Sequence, residues 1–429
     1  MSKPGDFLPD WERISLPPAS ILAHLTDAHC HPTDLFHSRQ VYQDVPLRGI
    51  AAMATVPEDQ EKVKKLSVER LQNVPSKESN SVEVVACFGY HPWFTHRYTL
   101  HPLDNLPCKW QHYSSLFLQP SCSTASAHLL GQLLPFLPDP VPFALLCDGL
   151  KRDLKCSRDS GRPTMLGEVG LDSSARLRWP VSARHLHPDF QQQKQPLPHC
   201  TTEDCHADGA GCSCESFSEQ DEQEWKRLTP FKVPMGHQRE ILRIQMEIAI
   251  ELGLPMSLHS VACPGPTLEA LVEMKEKHGA GFISRINIDL HSAGSWSPAF
   301  FSQAIKQLPN LYASPSILIT GRSSTAPDLI RAIPVDRMLV ESDTHDVRQS
   351  ARLVWAATVW IAACKGWKLE GRDAYSKESQ CLVKTKDEYV DWDLEFEEEY
   401  DERGRLIEED VWCVKTLKQN WSRFMGILE

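Results

Sequence analysis

Eight short apolar runs recur along the chain, and six of them end in a histidine or a carboxylate. In order they read "ILAHLTDAHCH", "RGIAAMATV", "VEVVACFGYHP", "TMLGEVGLD", "LPMSLHSVA", "RINIDLHSAG", "LYASPSILIT" and "RMLVESDTH". Runs this short, bounded by turn residues, read as strands buried on both faces. Helical spacing lies between them. From Gly236 to Gly253, Ile241, Ile244, Ile248 and Leu252 recur every three or four residues. Eight strands alternating with helices predict an α/β fold, a (β/α)8 TIM barrel in preference to a doubly wound sheet, although both have this period.

The polar ends carry the chemistry. His29 and His31 close the first run, His91 the third, Glu168 the fourth, His259 the fifth, His291 the sixth and Asp343 the eighth. Barrel sites collect residues from the C-terminal ends of several strands. Residues at i and i+2 of a strand share a face, so His29 and His31 can serve one ion. A lone histidine is more often a core or loop residue, and His-x-His alone is a weak signal. Six metal-binding side chains at the ends of five strands predict a site. Imidazoles and carboxylates together suit Zn²⁺, Mn²⁺ and related ions, and oxygen-only sites suit Mg²⁺. Four histidines and two carboxylates suffice for two ions with one carboxylate shared.

Composition sets the limits. At 429 residues the chain exceeds an average domain, yet one decorated barrel can reach that length. Three stretches read as insertions: 102–162, Leu/Pro-rich with part of a barrel helix; 173–234, polar and Cys-rich; and 365–410, acidic. Residues 411–429 carry Val411, Val414, Leu417 and Trp421 at helical spacing and are expected to pack on the barrel. No apolar run reaches the roughly 20 residues that cross a bilayer, and the first residues lack a signal peptide's apolar middle. The expected location is therefore intracellular, cytoplasmic or nuclear, with no membrane partner. Fourteen cysteines then read as free thiols. A net charge of −12 argues against broad coating of nucleic acid, but not against a local site made positive by metal ions.

The stretches "TDAHCHPTD", "CFGYHPWF", "MLGEVGLD", "IQMEIAIELGLPMSLHS", "IDLHSAGS" and "LVESDTH" together resemble the TatD-related metal-dependent hydrolases, a deoxyribonuclease family among the amidohydrolase-like barrels. The resemblance covers most of the chain outside the insertions. It implies a (β/α)8 barrel, two divalent ions (Mg, Mn or Zn) and hydrolysis of DNA phosphodiesters. It implies that His29, His31, Glu168 and Asp343 hold the first ion, and that Glu168, His259 and His291 hold the second. Glu168 would bridge, Asp343 would position the attacking water, and His91 would contact substrate phosphate. One departure is Val261, where the family carries an arginine after the fifth strand. Arg176, in "GLDSSARLRWP", is a candidate substitute and equally a solvated loop residue. That stretch is similar to a fungal branch labelled as interacting with an anaphase-promoting-complex subunit.

Two other readings share the fold. One is an amidohydrolase-like enzyme of another ester or an amide, although many of these bridge their ions with a modified lysine where this chain has Glu168. The other is a non-enzymatic interaction protein, with a protein partner meeting the acidic insertion. There Trp392, Phe396 and Tyr400 fall on one helical face. Cys200, Cys205, His206, Cys212 and Cys214 lack a C-x2-C pair and read as a Cys-rich insertion rather than a zinc knuckle.

Overall fold

The computed structural model describes residues 5–71, 82–118, 123–193, 227–370 and 411–427. Most of the Cys-rich stretch and of the acidic stretch lies outside them. Among the described residues the strands are β1 (Thr26–Cys30), β2 (Gly49–Met53), β3 (Glu83–Phe88), β4 (Tyr98–Thr99), β5 (Val141–Pro142), β6 (Thr164–Asp172), β7 (Arg176–Arg178), β8 (Leu228–Lys232), β9 (Met256–Val261), β10 (Ile288–His291) and β11 (Leu311–Ser314). Two compact units emerge. One comprises Met1–Thr95, Leu145–Ser173 and Gln238–Glu429, the other His96–Ala144 and Ser174–His237.

In the first unit seven strands form one sheet in the order β1-β2-β3-β6-β9-β10-β11, parallel at every pairing. Both faces are covered. β1, β2 and β6 are buried at every residue, so even their polar residues, Asp27 and His29 on β1 and Glu168 and Asp172 on β6, lie inside. The eighth run, 337–345, forms no regular strand. Leu339 N–H donates to Ala313 O at 2.9 Å, and Ala28 N–H to Val340 O at 3.0 Å. Further up, Asp343 N–H donates to His29 O at 2.9 Å and His31 N–H to Thr344 O at 2.8 Å. The segment thus lies between β11 and β1 and closes the sheet into the α/β barrel that the alternation predicts.

Apolar side chains fill the barrel interior. Ala28, Met53, Val85, Met165, Tyr312 and Leu339 pack with Trp421 and Phe424 of the helix Cys413–Met425. Asn420 on that helix donates to Met338 O at 2.8 Å and Val335 O at 2.7 Å. The predicted helix at 236–253 spans Met235–Leu252 and buries Ile241, Ile248 and Leu252. It also buries two glutamines. Gln245 clamps the backbone N and O of Tyr90, at 2.8 and 3.2 Å, and Gln238 does the same for Asp172, at 2.8 and 3.0 Å. These amides satisfy backbone groups where β3 and β6 run out, beside His91 and beyond Glu168. No helix among the described residues is long and apolar enough to cross a membrane.

The second unit has its own small core of Tyr113, Phe117, Leu130, Leu133, Leu177, Trp179 and Phe231. β7 and β8 pair antiparallel within it, and β4 pairs with β5.

Candidate metal centre

Strict alternation would put Asp27 on the face of His29 and His31. β1 instead has a register irregularity between Asp27 and Cys30. Asp27 accepts from Ser342 N–H at 2.9 Å, Ser342 Oγ at 2.5 Å and Ser350 Oγ, and so straps the eighth segment to β1. Burial pushes its pKa up to about 6, partly offset by these hydrogen bonds. His29 and His31 do converge, with Nε2 atoms 3.3 Å apart. Cys30, between them, is fully buried and donates to Ala51 O, and burial pushes its thiol pKa well up, so it packs rather than reacts.

Glu168 stands at the centre, 3 % exposed. Its two oxygens face different imidazoles. Oε2 lies 3.4 Å from His31 Nε2 and 3.7 Å from His29 Nε2. Oε1 lies 2.7 Å from His259 Nδ1, 2.8 Å from His291 Nε2 and 3.2 Å from His91 Nε2. Asp343 Oδ1 lies 3.4 Å from His31 Nε2 and 3.8 Å from His29 Nε2. Among the described residues, donor atoms within 4.8 Å of one another form four groups: His29, Glu168 and His291; His29, His31 and Asp343; His91, Glu168 and His259; and His291, Glu341 and Asp343. The structure therefore gathers His29, His31, His91, Glu168, His259, His291 and Asp343. Arg176 is not in these groups; it opens β7 in the second unit, opposite Lys232. Val261 ends β9.

This donor set fits divalent cations. Apart from His91, it holds four imidazoles and three carboxylates, with no lysine or arginine among them. Imidazole nitrogens approach one another at 3.3 Å (His29 to His31) and 3.1 Å (His259 to His291), and the His29 and His291 rings stack at 3.8 Å. Such crowding of lone pairs is what a cation binding nitrogen and oxygen relieves.

Surrounding groups set the tautomers. Ser257 Oγ sits 2.8 Å from His29 Nδ1, which leaves Nε2 for the cluster. Asp172 Oδ2 accepts from His259 Nε2 at 3.1 Å and from Trp93 Nε1 at 2.5 Å, which leaves His259 Nδ1 as the donor toward a cation. His91 differs. Trp93 N–H donates to its Nδ1 at 3.2 Å, so the neutral ring carries its hydrogen on Nε2. His91 Nε2 is thus a hydrogen-bond donor, to Glu168 now, and not a lone pair for a metal.

Electrostatics follow burial and proximity. Burial, then the charge of His291, lowers His29 to about 3 despite the carboxylates. Burial opposes charge on His31, but Asp343 and Glu168 outweigh it and raise the pKa to about 9. Burial likewise opposes charge on His259, but Asp172 and Glu168 raise it to about 10. Burial works against ionising Asp343 and Glu168, yet the histidines hold Asp343 at about 2 and Glu168 well below its ordinary range. Without cations, protons on His31 and His259 therefore balance these carboxylates.

Sequence reasoning missed Asp172, Glu341, Ser257 and Trp93. Asp172 and Glu341 stood inside quoted motifs, four residues after Glu168 and two before Asp343, but nothing in spacing separated a supporting carboxylate from a ligand. Behind His291, Ser314 Oγ lies 2.7 Å from Asp289 Oδ2 and 2.5 Å from Glu341 Oε2. Burial raises Asp289 to about 7 and Glu341 well above its ordinary range.

Residues 220–375 match the family model described as TatD related DNase. The Cut9-interacting protein scn1 of Schizosaccharomyces pombe is 25 % identical over 376 residues, which cover 81 % of this chain and 94 % of that one. A Saccharomyces cerevisiae protein described as uncharacterized deoxyribonuclease YMR262W is 23 % identical over 326 residues, covering 74 % and 83 %. Among solved structures, the TatD homologue YJJV from Escherichia coli K12 aligns with a TM-score of 0.42 at 16 % identity, covering 80 % of this chain and 91 % of that one. A TatD family hydrolase from Entamoeba histolytica aligns with a TM-score of 0.41 at 10 % identity and the same coverage. The match of residues 220–375 to that family model and the donor set together support a metal-dependent hydrolase.

Proposed function

We propose that this protein is a divalent-metal-dependent phosphodiesterase that acts on DNA. The observation that carries the reading is Glu168, whose Oε2 faces His31 and His29 and whose Oε1 faces His259 and His291, with Asp343 Oδ1 within 4.0 Å of His31 and His29. His29, His31, Asp343 and Glu168 Oε2 would hold one cation; His259, His291 and Glu168 Oε1 would hold the other. Two such cations supply Lewis-acid charge to the phosphoryl oxygens and acidify water.

The chain's own groups divide the remaining work. Asp343, ionised at neutral pH because the adjacent histidines hold it at about 2, can only accept a proton, and its place beside His31 suits it to orient the attacking water. His91 presents Nε2–H, which can turn from Glu168 to a non-bridging phosphate oxygen. Trp93 fixes that tautomer through its backbone and supports Asp172 through its indole. DNA as the substrate rests on the family, as does the choice of a phosphodiester over an amide.

The test is hydrolysis of single- and double-stranded DNA by the full chain with Mg²⁺, Mn²⁺ or Zn²⁺. Cleavage should vanish on chelation and fall by orders of magnitude in Asp343→Asn. Cleavage that survives both changes refutes the proposal. Bound metal without hydrolysis of any phosphodiester or amide would instead favour a binding role, in keeping with the name of the S. pombe relative.

A further inference from the structure

Just past His31 the chain forms a second concavity that the metal centre does not use. It is a cleft of about 470 Å³, within the range of small-ligand sites. Its walls are the loop 33–37, the helix Arg39–Gln43 and the helix Pro57–Leu71. The lining is mixed in one particular way. Arg39, Lys62 and Lys65 give it three cationic side chains, and Phe36 and Tyr42 give it two aromatic rings. Asp34 is its one carboxylate, and His345 Nδ1 already sits 2.7 Å from Asp34 Oδ2. Asp59 Oδ1 lies 3.4 Å from Lys62 Nζ, a partner that leaves that lysine 54 % exposed. Phe36 is 98 % exposed, a large apolar ring left almost wholly in water. Thr33 Oγ1, also on the lining, is buried without a hydrogen-bond partner.

The cleft adjoins the metal centre through named contacts. Asp34 bonds His345, and the His345 ring stacks on His31 at 5.2 Å. His37 Nε2 lies 3.4 Å from His345 O, so the cleft's wall is tied to the segment that carries Asp343. A ligand filling the cleft therefore lies next to whatever the cluster binds.

Cations beside an exposed aromatic ring match one chemistry well: a nucleotide unit, whose phosphate meets the cations and whose base stacks on the ring. We infer that this cleft is a nucleotide subsite, which holds the unit flanking the scissile phosphate, with its base on Phe36 and its phosphate against Lys62, Lys65 and Arg39. The inference rests on the proposed DNA phosphodiesterase and deepens it. It supplies cationic phosphate contacts from the first strand's loop and the two helices beside it, next to a cluster that itself holds no lysine or arginine. A single strand suits the cleft because stacking on Phe36 needs an unpaired base face.

Binding tests this without relying on turnover. Full-length protein carrying Asp343→Asn, with Mn²⁺ present, is titrated with a fluorescent single-stranded oligonucleotide, and affinity is followed by anisotropy over a range of salt. Phe36→Ala should weaken binding about tenfold. The double change Lys62→Gln with Lys65→Gln should lower the log–log salt slope by about 0.7 for each lysine lost. Lys151→Gln, an exposed lysine paired with Glu251 at 2.6 Å on the helix Phe143–Asp159, serves as the charge control. All variants alter exposed side chains and are checked for an unchanged melting curve. The inference is overturned if the unsubstituted background binds no DNA, or if the cleft variants match the control in affinity and salt slope. A wild-type protein that cleaves DNA while the cleft variants bind normally would sink the subsite and leave the hydrolase standing. DNA bound through the cleft but never cleaved would support the subsite and refute the hydrolase.

Discussion

Replacing Asp172 separates a supporting carboxylate from a ligand. Its side chain is buried, and one oxygen, Oδ2, accepts from both His259 Nε2 and Trp93 Nε1. Asp172→Ala strands two part-buried donors, and outer-shell groups of this kind are worth about 10–100-fold in metal affinity, roughly 1.4–2.7 kcal/mol. Its backbone stays clamped by Gln238, so β6 should keep its end. A second effect opposes the first. Asp172 helps to hold His259 at about 10, so at neutral pH a cation must displace the proton there. Without Asp172 that pKa falls and proton competition weakens. The deficit in apparent affinity should thus be smallest near neutral pH and widen toward pH 10, where the wild-type proton no longer competes. Asp172→Asn keeps an acceptor oxygen for both donors and should lose less. The assay is competition against a chromophoric chelator across this pH range. Indistinguishable affinity and pH dependence in Asp172→Ala and wild type would refute the reasoning.

Three other outcomes are expected. Stability of the ion-free protein should fall on both sides of neutrality. The Asp343 and Glu168 contributions are present above their unfolded values of 3.8 and 4.5 and are lost as pH drops through about 2 for Asp343. Those of His31 and His259 are present below 6.5 and are lost as pH rises through about 9 and 10, and denaturation with and without Mn²⁺ should show the alkaline loss only without the cation. Trp421→Ala removes a 4 % exposed indole from the barrel interior and should cost about 3–5 kcal/mol, read as a lower urea midpoint. Gly170→Ala would set a Cβ 2.0 Å from His259 O at φ 152°, so it should separate β6 from β9 and lower both melting temperature and metal affinity.

The barrel was legible because parallel strands covered on both faces leave a pattern that nothing else in the chain resembles. Seven of the eight predicted runs contain the sheet's strands, and the eighth closes the ring without forming a regular strand. The ligand-type residues were legible for a related reason. A histidine or carboxylate within or at the end of an apolar run stands out, as His29, His31, Glu168, His259 and His291 all do, although Glu168 sits in the middle of β6 and not at its end. What supports them was not legible. Asp172, Ser257 and Trp93 act through hydrogen bonds between residues as many as 228 positions apart, and no periodicity encodes such a pairing. The second unit was hidden too, because its core is drawn from two stretches that read as separate insertions into the barrel.

Departures from regular strand geometry cluster at the candidate site, which argues that they belong to it. The eighth run has the composition of a strand, yet Asp343 adopts φ 53°, a left-handed conformation that Asp tolerates better than most residues. A regular strand would keep Asp343 in the wall; the turn brings its carboxylate to His31 while the backbone still donates to His29 O. Ser292, directly after His291, takes φ 47° and bonds Glu341. β1 breaks register between Asp27 and Cys30, where the chain must send Asp27 to Ser350 and both following histidines into the cluster. Strain of this kind persists only where the surroundings enforce it. Here Asp27 does so, through the two serines that tie β1, the eighth segment and the helix Val347–Lys365 together. Asp27→Asn should consequently loosen the His29, His31 and Asp343 group while leaving His259 and His291 in place, so that the first cation is weakened more than the second. Equal weakening of both would refute that division.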